Sequence, residues 1–130
     1  MARQNLNEAL SERLVQHVLL GEAIDDADVL VFVADDTMRH IAVNERTCQI
    51  LGYTREELLA LKVTDVAVAE DASDRYRQMV ASGEQRGVTT LRKKDGTLIP
   101  FRYSARTTRV AGLPYYVAVG VVDRDVARTA

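Results

Sequence analysis

The chain has no tryptophan, one cysteine, two prolines and two phenylalanines in 130 residues. A single cysteine excludes an internal disulfide and a cysteine-built zinc cluster, and it fits a reduced, cytoplasmic setting. No apolar run approaches the ~20 residues that cross a bilayer, and no secretory leader is visible, so no membrane role is expected. The net charge of −2 offers no electrostatic footprint for nucleic acid. The basic run Arg92-Lys93-Lys94 sits beside a turn and reads as a solvated hairpin end rather than a phosphate site. There is no Gly-rich phosphate loop, zinc-protease signature or nucleophile elbow. What is present is one domain's worth of chain, 47% hydrophobic, long enough to bury roughly two thirds of its unfolded surface.

From about Asn5 to Glu22 the apolar residues fall at helical spacing. Leu6, Leu10, Leu14 and Val18 recur every four positions, joined by Val15 and Leu19. This amphipathic helix precedes the compact domain, so its stripe needs a cover. Burying each such side chain is worth about 1.5–3 kcal/mol, so the stripe is expected to cover either its own sheet or another chain. Val29–Ala34 is a continuous apolar run that reads as a central strand. Asp35-Asp36-Thr37 turns the chain, and Met38–Val43 returns as a second strand. Asn44 caps a short helix, Glu45–Leu51, that Gly52 ends, and Thr54 with Glu57 makes a capping box for the next. Residues 65–70 read as irregular or one helical turn, and Asp71 caps a longer helix over Ala72–Ser82 that Gly83 closes. Strands then follow at Val88–Lys94, Leu98–Val110 and Tyr115–Val122, with a tight primed turn expected at Asp95-Gly96 and a second turn at Ala111-Gly112. Without a βαβ rhythm, a parallel doubly wound sheet is disfavoured. The class is α+β: a five-stranded antiparallel sheet, its last strand beside its first, with helices on one face.

Several of these segments, taken in order, resemble the PAS sensor family. The strand-then-asparagine entry is Ile41-Ala42-Val43-Asn44, and the helix ending in Gly-Tyr is Leu51-Gly52-Tyr53-Thr54-Arg55-Glu56-Glu57. Glu70-Asp71 supplies the acidic cap before the long helix, and Arg92-Lys93-Lys94-Asp95-Gly96-Thr97 the charged hairpin. Val122-Asp123-Arg124-Asp125-Val126-Ala127-Arg128 is similar to the family's exit motif, with Asp125 as its one identical residue. The resemblance covers about Val29 to Arg128. It implies a flanking helix at 1–24 that pairs in a homodimer, a PAS domain over 25–128, and an exit segment (Asp123, Asp125, Arg128) coupling the sheet to a downstream effector in bacterial, two-component-like signalling. The chain ends close to that exit motif, which fits either a piece of a larger regulator or a single-domain adaptor.

The resemblance leaves the ligand open. Flavin photosensors of the family need a cysteine where this sequence has Val63, and their flavin-binding amides fall near Leu91 and Phe101, both apolar. Cys48 lies in the preceding helix and reads as a small core residue. Haem-type relatives carry iron on a histidine of the long helix, which has none here; Met79 reads as core, and His17 and His40 as structural or surface residues. Flavin adduct and haem are therefore disfavoured, the lack of tryptophan counts against a non-covalent FAD sensor, and no cofactor is expected. Family geometry places a pocket among Tyr76, Met79, Val80, Leu91, Phe101, Tyr103, Val117 and Val119, with Ala105 on the same strand face as Phe101 and Tyr103. Two readings fit these residues: a site for a small apolar ligand, and a filled core in a ligand-free interaction scaffold. Catalysis is not expected. Asp35-Asp36 sits in a turn where aspartate bonds the local backbone, and Asp71 and Asp74 are explained by helix capping.

Overall fold

Capping and turn chemistry place most element boundaries in the computed structural model, which describes residues 2–68 and 72–123. Helix α1 (Ala2–Asp25) leads into strands β1 (Leu30–Ala34) and β2 (His40–Val43). Four helices follow, α2 (Glu45–Leu51), α3 (Arg55–Leu59), α4 (Val63–Val66) and α5 (Ala72–Ser82). Strands β3 (Glu84–Arg92), β4 (Leu98–Val110) and β5 (Leu113–Val122) complete the chain. The strands pair antiparallel in the order β2-β1-β5-β4-β3, so the final meander closes beside the first strand as expected. The helices between β2 and β3 cover one face of this sheet.

Asn44 is extended and its side chain accepts from Thr47 N, while Gly52 is left-handed (φ 81) and its N–H reaches the Cys48 carbonyl, closing α2 at both ends. The Thr54–Glu57 capping box is present in full. The two hairpin turns differ in type. At Asp95-Gly96 only Gly96 has positive φ (89), and the Lys93 carbonyl accepts from Gly96 N at 2.9 Å. That is a type I turn followed by a left-handed glycine, not a primed turn. The primed geometry falls at Ala111-Gly112, where both φ values are positive (52 and 79). The first hairpin is also docked: Lys94 N donates to the Leu51 carbonyl at 2.8 Å, and Lys94 Nζ pairs with Glu57 at 2.7 Å. The basic end is thus partly an anchor onto the α2–α3 junction. β3 begins at Glu84, four residues before the expected Val88, because Gln85, Gly87 and Thr89 continue the ladder without an apolar pattern to announce it.

One buried network ties these pieces together. Asn44 Oδ1 accepts from Val31 N (3.1 Å), Thr47 N (3.1 Å) and Thr47 Oγ1 (2.5 Å). Its Nδ2 donates to the carbonyls of Ile24 (2.8 Å) and Val29 (2.9 Å). A single amide therefore joins the end of α1, the entry to β1 and the start of α2. Asp25 reinforces it by accepting from Glu45 N at 2.9 Å and from Arg55 at 2.8 Å.

Beyond that anchor the described apolar side chains of α1 are exposed. Leu14 is 66% exposed and Val18 62% exposed, and Val15 and Leu19 are exposed as well. The side chains of Leu6 and Leu10 lie outside the described residues. Among the described residues no helix is long and apolar enough to cross a membrane.

Candidate ligand cavity

Strand pairing decides which side chains face the helices. Phe32 pairs with Ala118 and Ala34 with Tyr116, and Tyr103 lies opposite Gly120. The inner face of β5 is therefore Tyr116, Ala118, Gly120 and Val122. The expected pocket residues Val117 and Val119 are corrected by one position: both lie on the outer face, and Val119 is 37% exposed. The run Tyr115–Val122 is apolar on both faces, so alternation alone carries no sign of which one is inside.

Between this inner face and α4–α5 lies a cavity of about 100 Å³. Met79, Leu91, Phe101, Tyr103 and Ala105 line it. Tyr76 and Val80 belong to α5, but their side chains lie outside the described residues. Val63, the position where a flavin photosensor would carry its cysteine, is also on the wall. The volume is well below the ~300–1,000 Å³ of sites for drug-sized ligands. Phe101 is the centre of an aromatic cluster, stacked on Tyr103 (5.8 Å, 15°) and edge-on to Phe32 (5.7 Å, 72°).

Sequence reasoning missed the polar part of the wall: His40, Arg75, Gln85 and Thr89. Gln85, Thr89 and Leu91 share one face of β3, a period-2 signal visible only once the strand is known to begin at Glu84. Arg75 Nη1 donates to the Val88 carbonyl at 2.7 Å, holding α5 against β3. Arg75, Gln85 and Tyr103 also border a polar cleft with Asp74, Gln78 and Arg86, which marks the cavity's polar end.

His40, expected as a structural or surface residue, is buried on the cavity wall. Its Nδ1 lies 3.3 Å from the Leu58 carbonyl and its ring 5.5 Å from that of Phe32. A neutral ring donating from Nδ1 satisfies this geometry. Burial holds the imidazole below the ordinary histidine range, against smaller upward pulls from the Leu58 and Leu61 hydrogen bonds and the Asp65 charge. The unfolded chain therefore takes up this proton first as pH falls. Stability contributed by neutral His40 is present above about pH 6.5 and is lost as pH drops through that unfolded value toward the folded one. Thermal melts from pH 7.5 to 5.5 should show a fall in Tm that His40→Gln reduces; equal slopes in both proteins would remove His40 as its source.

At the far end of β5, Asp123 is 6% exposed. Arg102 Nε donates to its Oδ2 at 2.7 Å, Arg102 Nη2 lies 2.5 Å from the same oxygen, and Asp123 N donates to the Pro100 carbonyl at 2.9 Å. Of the three expected exit residues, Asp123 is thus fixed to β4; Asp125 and Arg128 lie outside the described residues. Asp35, in the first turn, spends Oδ1 on Thr37 N, Thr37 Oγ1 and Arg39 N. Cys48 is buried, and burial, with Glu45 nearby, pushes its thiol up. Among the described residues, no three His, Cys, Asp or Glu side chains cluster as a metal site.

Residues 28–126 match the PAS domain family, and the chain belongs to it. The fold recurs in solved structures. A PAS domain from a two-component sensor histidine kinase superposes with a TM-score of 0.76 at 18% identity, covering 85% of this chain and 99% of that one. A domain of the sensory box sensor histidine kinase/response regulator from Geobacter sulfurreducens gives 0.71 at 22%, covering 82% and 93%. The Drosophila melanogaster Cycle PAS-B domain with bound ethylene glycol gives 0.64 at 15%, covering 72% and 99%. No curated protein matches the chain.

Proposed function

We propose that this chain is a sensory PAS module whose cavity takes a small, largely apolar molecule and whose leading helix joins two copies, regulating an attached or partner effector. The observation that carries the reading is the cavity itself, about 100 Å³ of space walled mainly by apolar side chains in a domain with a well-packed core around it. Interiors are otherwise close-packed, and an apolar void of this size loses dispersion contacts on every wall unless something fills it. Family relatives from sensor kinases support a signal-sensing role, and the reading involves binding without catalysis.

Dimerisation is supported by two apolar surfaces that one chain leaves open. The first is the α1 stripe at Leu14 and Val18; the second is the outer sheet face, where Ile41, Val119 and Val121 are exposed. Contiguous exposed apolar surface marks an interaction site. A second copy presents both surfaces at once, as a two-fold interface requires. Leu14→Glu combined with Val18→Glu is expected to convert a dimer to a monomer in light scattering after gel filtration, with little change in domain stability because neither residue packs on the domain. An unchanged dimer would refute this part of the reading.

The exit contact completes the route. Asp123 clamps the end of β5 to Arg102 on β4, so a shift of the inner sheet face reaches the residues that follow. Arg102→Leu should lower stability by about 1–2 kcal/mol, discounted because the guanidinium is more than half exposed. A ligand-free scaffold would share the dimer but not the ligand response. A ligand at a hundredfold excess over Kd should raise stability by about 2.7 kcal/mol, and hydrogen exchange should slow at β5 and in the cavity wall. No small molecule producing either effect would leave the scaffold.

A further inference from the structure

Among the described residues, one buried side-chain oxygen or nitrogen lacks any hydrogen-bond partner: Thr89 Oγ1. It belongs to a residue on the cavity wall, on the strand face that also presents Gln85 and Leu91, and directly across the ladder from Phe101. A buried hydroxyl without a partner is costly, and native proteins rarely leave one. Here the orphan belongs to a wall residue beside an aromatic surface, the stacked Phe101 and Tyr103 with Phe32 edge-on. The space is small: about 100 Å³, on the scale of the ~150 Å³ apolar cavity that takes benzene in an engineered protein core. Shape, surface and orphan together define a ligand.

Resting on the cavity reading above, we infer that the occupant is a neutral single-ring aromatic molecule carrying one hydroxyl or ring N–H, with its ring against Phe101 and its polar atom paired to Thr89 Oγ1. The threonine hydroxyl donates and accepts, so it suits a phenol or an azole N–H equally. Neutrality follows from the wall: most of it is apolar, and a buried ion would lose its hydration there without a dedicated partner. The one cation on the wall, Arg75, already donates to the Val88 carbonyl. A site that must satisfy its own buried hydroxyl discriminates against rings that cannot do so, and does this more sharply than a purely apolar pocket discriminates by size.

Phenol and toluene are close in shape and differ in the group that Thr89 would meet. Titration of the whole chain with each, followed by amide NMR shifts of cavity-wall residues, should give phenol at least about fivefold tighter than toluene, with benzoate weaker than phenol. Thr89→Val keeps the shape and removes the hydroxyl; it should cut the phenol-to-toluene ratio about tenfold. Equal binding of phenol and toluene to the native chain would overturn this inference while leaving the small-ligand sensor intact. So would a ratio that Thr89→Val does not change, which would assign the hydroxyl to a bound water. Tighter benzoate would overturn the neutral assignment. Saturation by none of the three would overturn both this inference and the cavity reading beneath it. The native ratio alone decides the point if the variant does not fold.

Discussion

Asn44→Leu should destabilise the domain by about 2–4 kcal/mol, measured as a drop in the urea midpoint at unchanged slope. The side chain is 4% exposed, and its amide makes five bonds to four other residues. Leucine fills the volume but leaves the Ile24 and Val29 carbonyls and the Thr47 N–H without that partner. Each group left unsatisfied in a buried site costs about 1–3 kcal/mol, with relaxation and water entry reducing the sum. Val31 N keeps a second acceptor in Thr47 Oγ1 at 3.0 Å, which is why the estimate stops short of the full total. Asn44→Asp sharpens the test. It keeps the accepting oxygen but turns a second one toward two carbonyls, so the variant's carboxyl is favoured in its protonated form and its folded pKa is raised. The Asp variant should therefore be most stable below about pH 4 and lose stability as pH rises through the raised folded value. A variant that melts like the native chain at neutral pH would contradict the hub. Because the same amide holds the end of α1, hydrogen exchange across residues 24–31 should accelerate in Asn44→Leu before the sheet itself opens.

Gly120→Ala is the second large effect, expected to cost about 3 kcal/mol or more and to abolish cooperative unfolding if β4 and β5 separate. A Cβ at this position would collide with the Arg102 carbonyl oxygen, and would sit 2.7 Å from Phe101 Cε1 and 2.8 Å from Tyr103 Cα. Two of those atoms are backbone, so no rotamer change relieves the clash. Gly21→Ala is the matched control, since a Cβ there meets nothing within 4 Å and lies in helix α1. That change should be neutral or stabilising by up to about 1 kcal/mol. Comparable melting curves for the two variants would show that the close approach of β4 to Gly120 is not real in solution. The position also explains the shape of the inner face. The glycine lets β4 approach where Tyr103 crosses, and so holds the Phe101–Tyr103 stack against the cavity.

What was legible in the sequence was the chemistry that acts over a few residues. The capping bonds of Asn44, Gly52, Thr54 and Glu57 reach groups within four positions, so α2 and α3 could be placed from the letters alone. The meander and the pairing of the last strand with the first followed from turn residues and the order of elements. Signals that depend on partners distant in the chain were not legible. Val117 and Val119 look as inward as Tyr116 and Ala118 because both faces of β5 are apolar; only the register against Phe32 and Ala34 separates them. Asp95-Gly96 reads as a primed turn by composition, yet Asp95 keeps negative φ because its carboxylate accepts from Thr97 N at 2.8 Å and supports a type I turn instead. His40, Gln85 and Thr89 were passed over as cavity residues because polar side chains at inner positions break the very alternation used to find an inner face. The polar residues of the cavity wall were thus the ones that weakened the strand signal.

The most direct test of the sensory reading is native mass spectrometry of the purified chain, alone and with phenol at saturating concentration. The expected result is a dimer that carries, or takes up, one single-ring molecule per protomer. A monomer that stays at bare polypeptide mass in both conditions would contradict the reading, leaving a PAS fold with a filled core and no demonstrated partner.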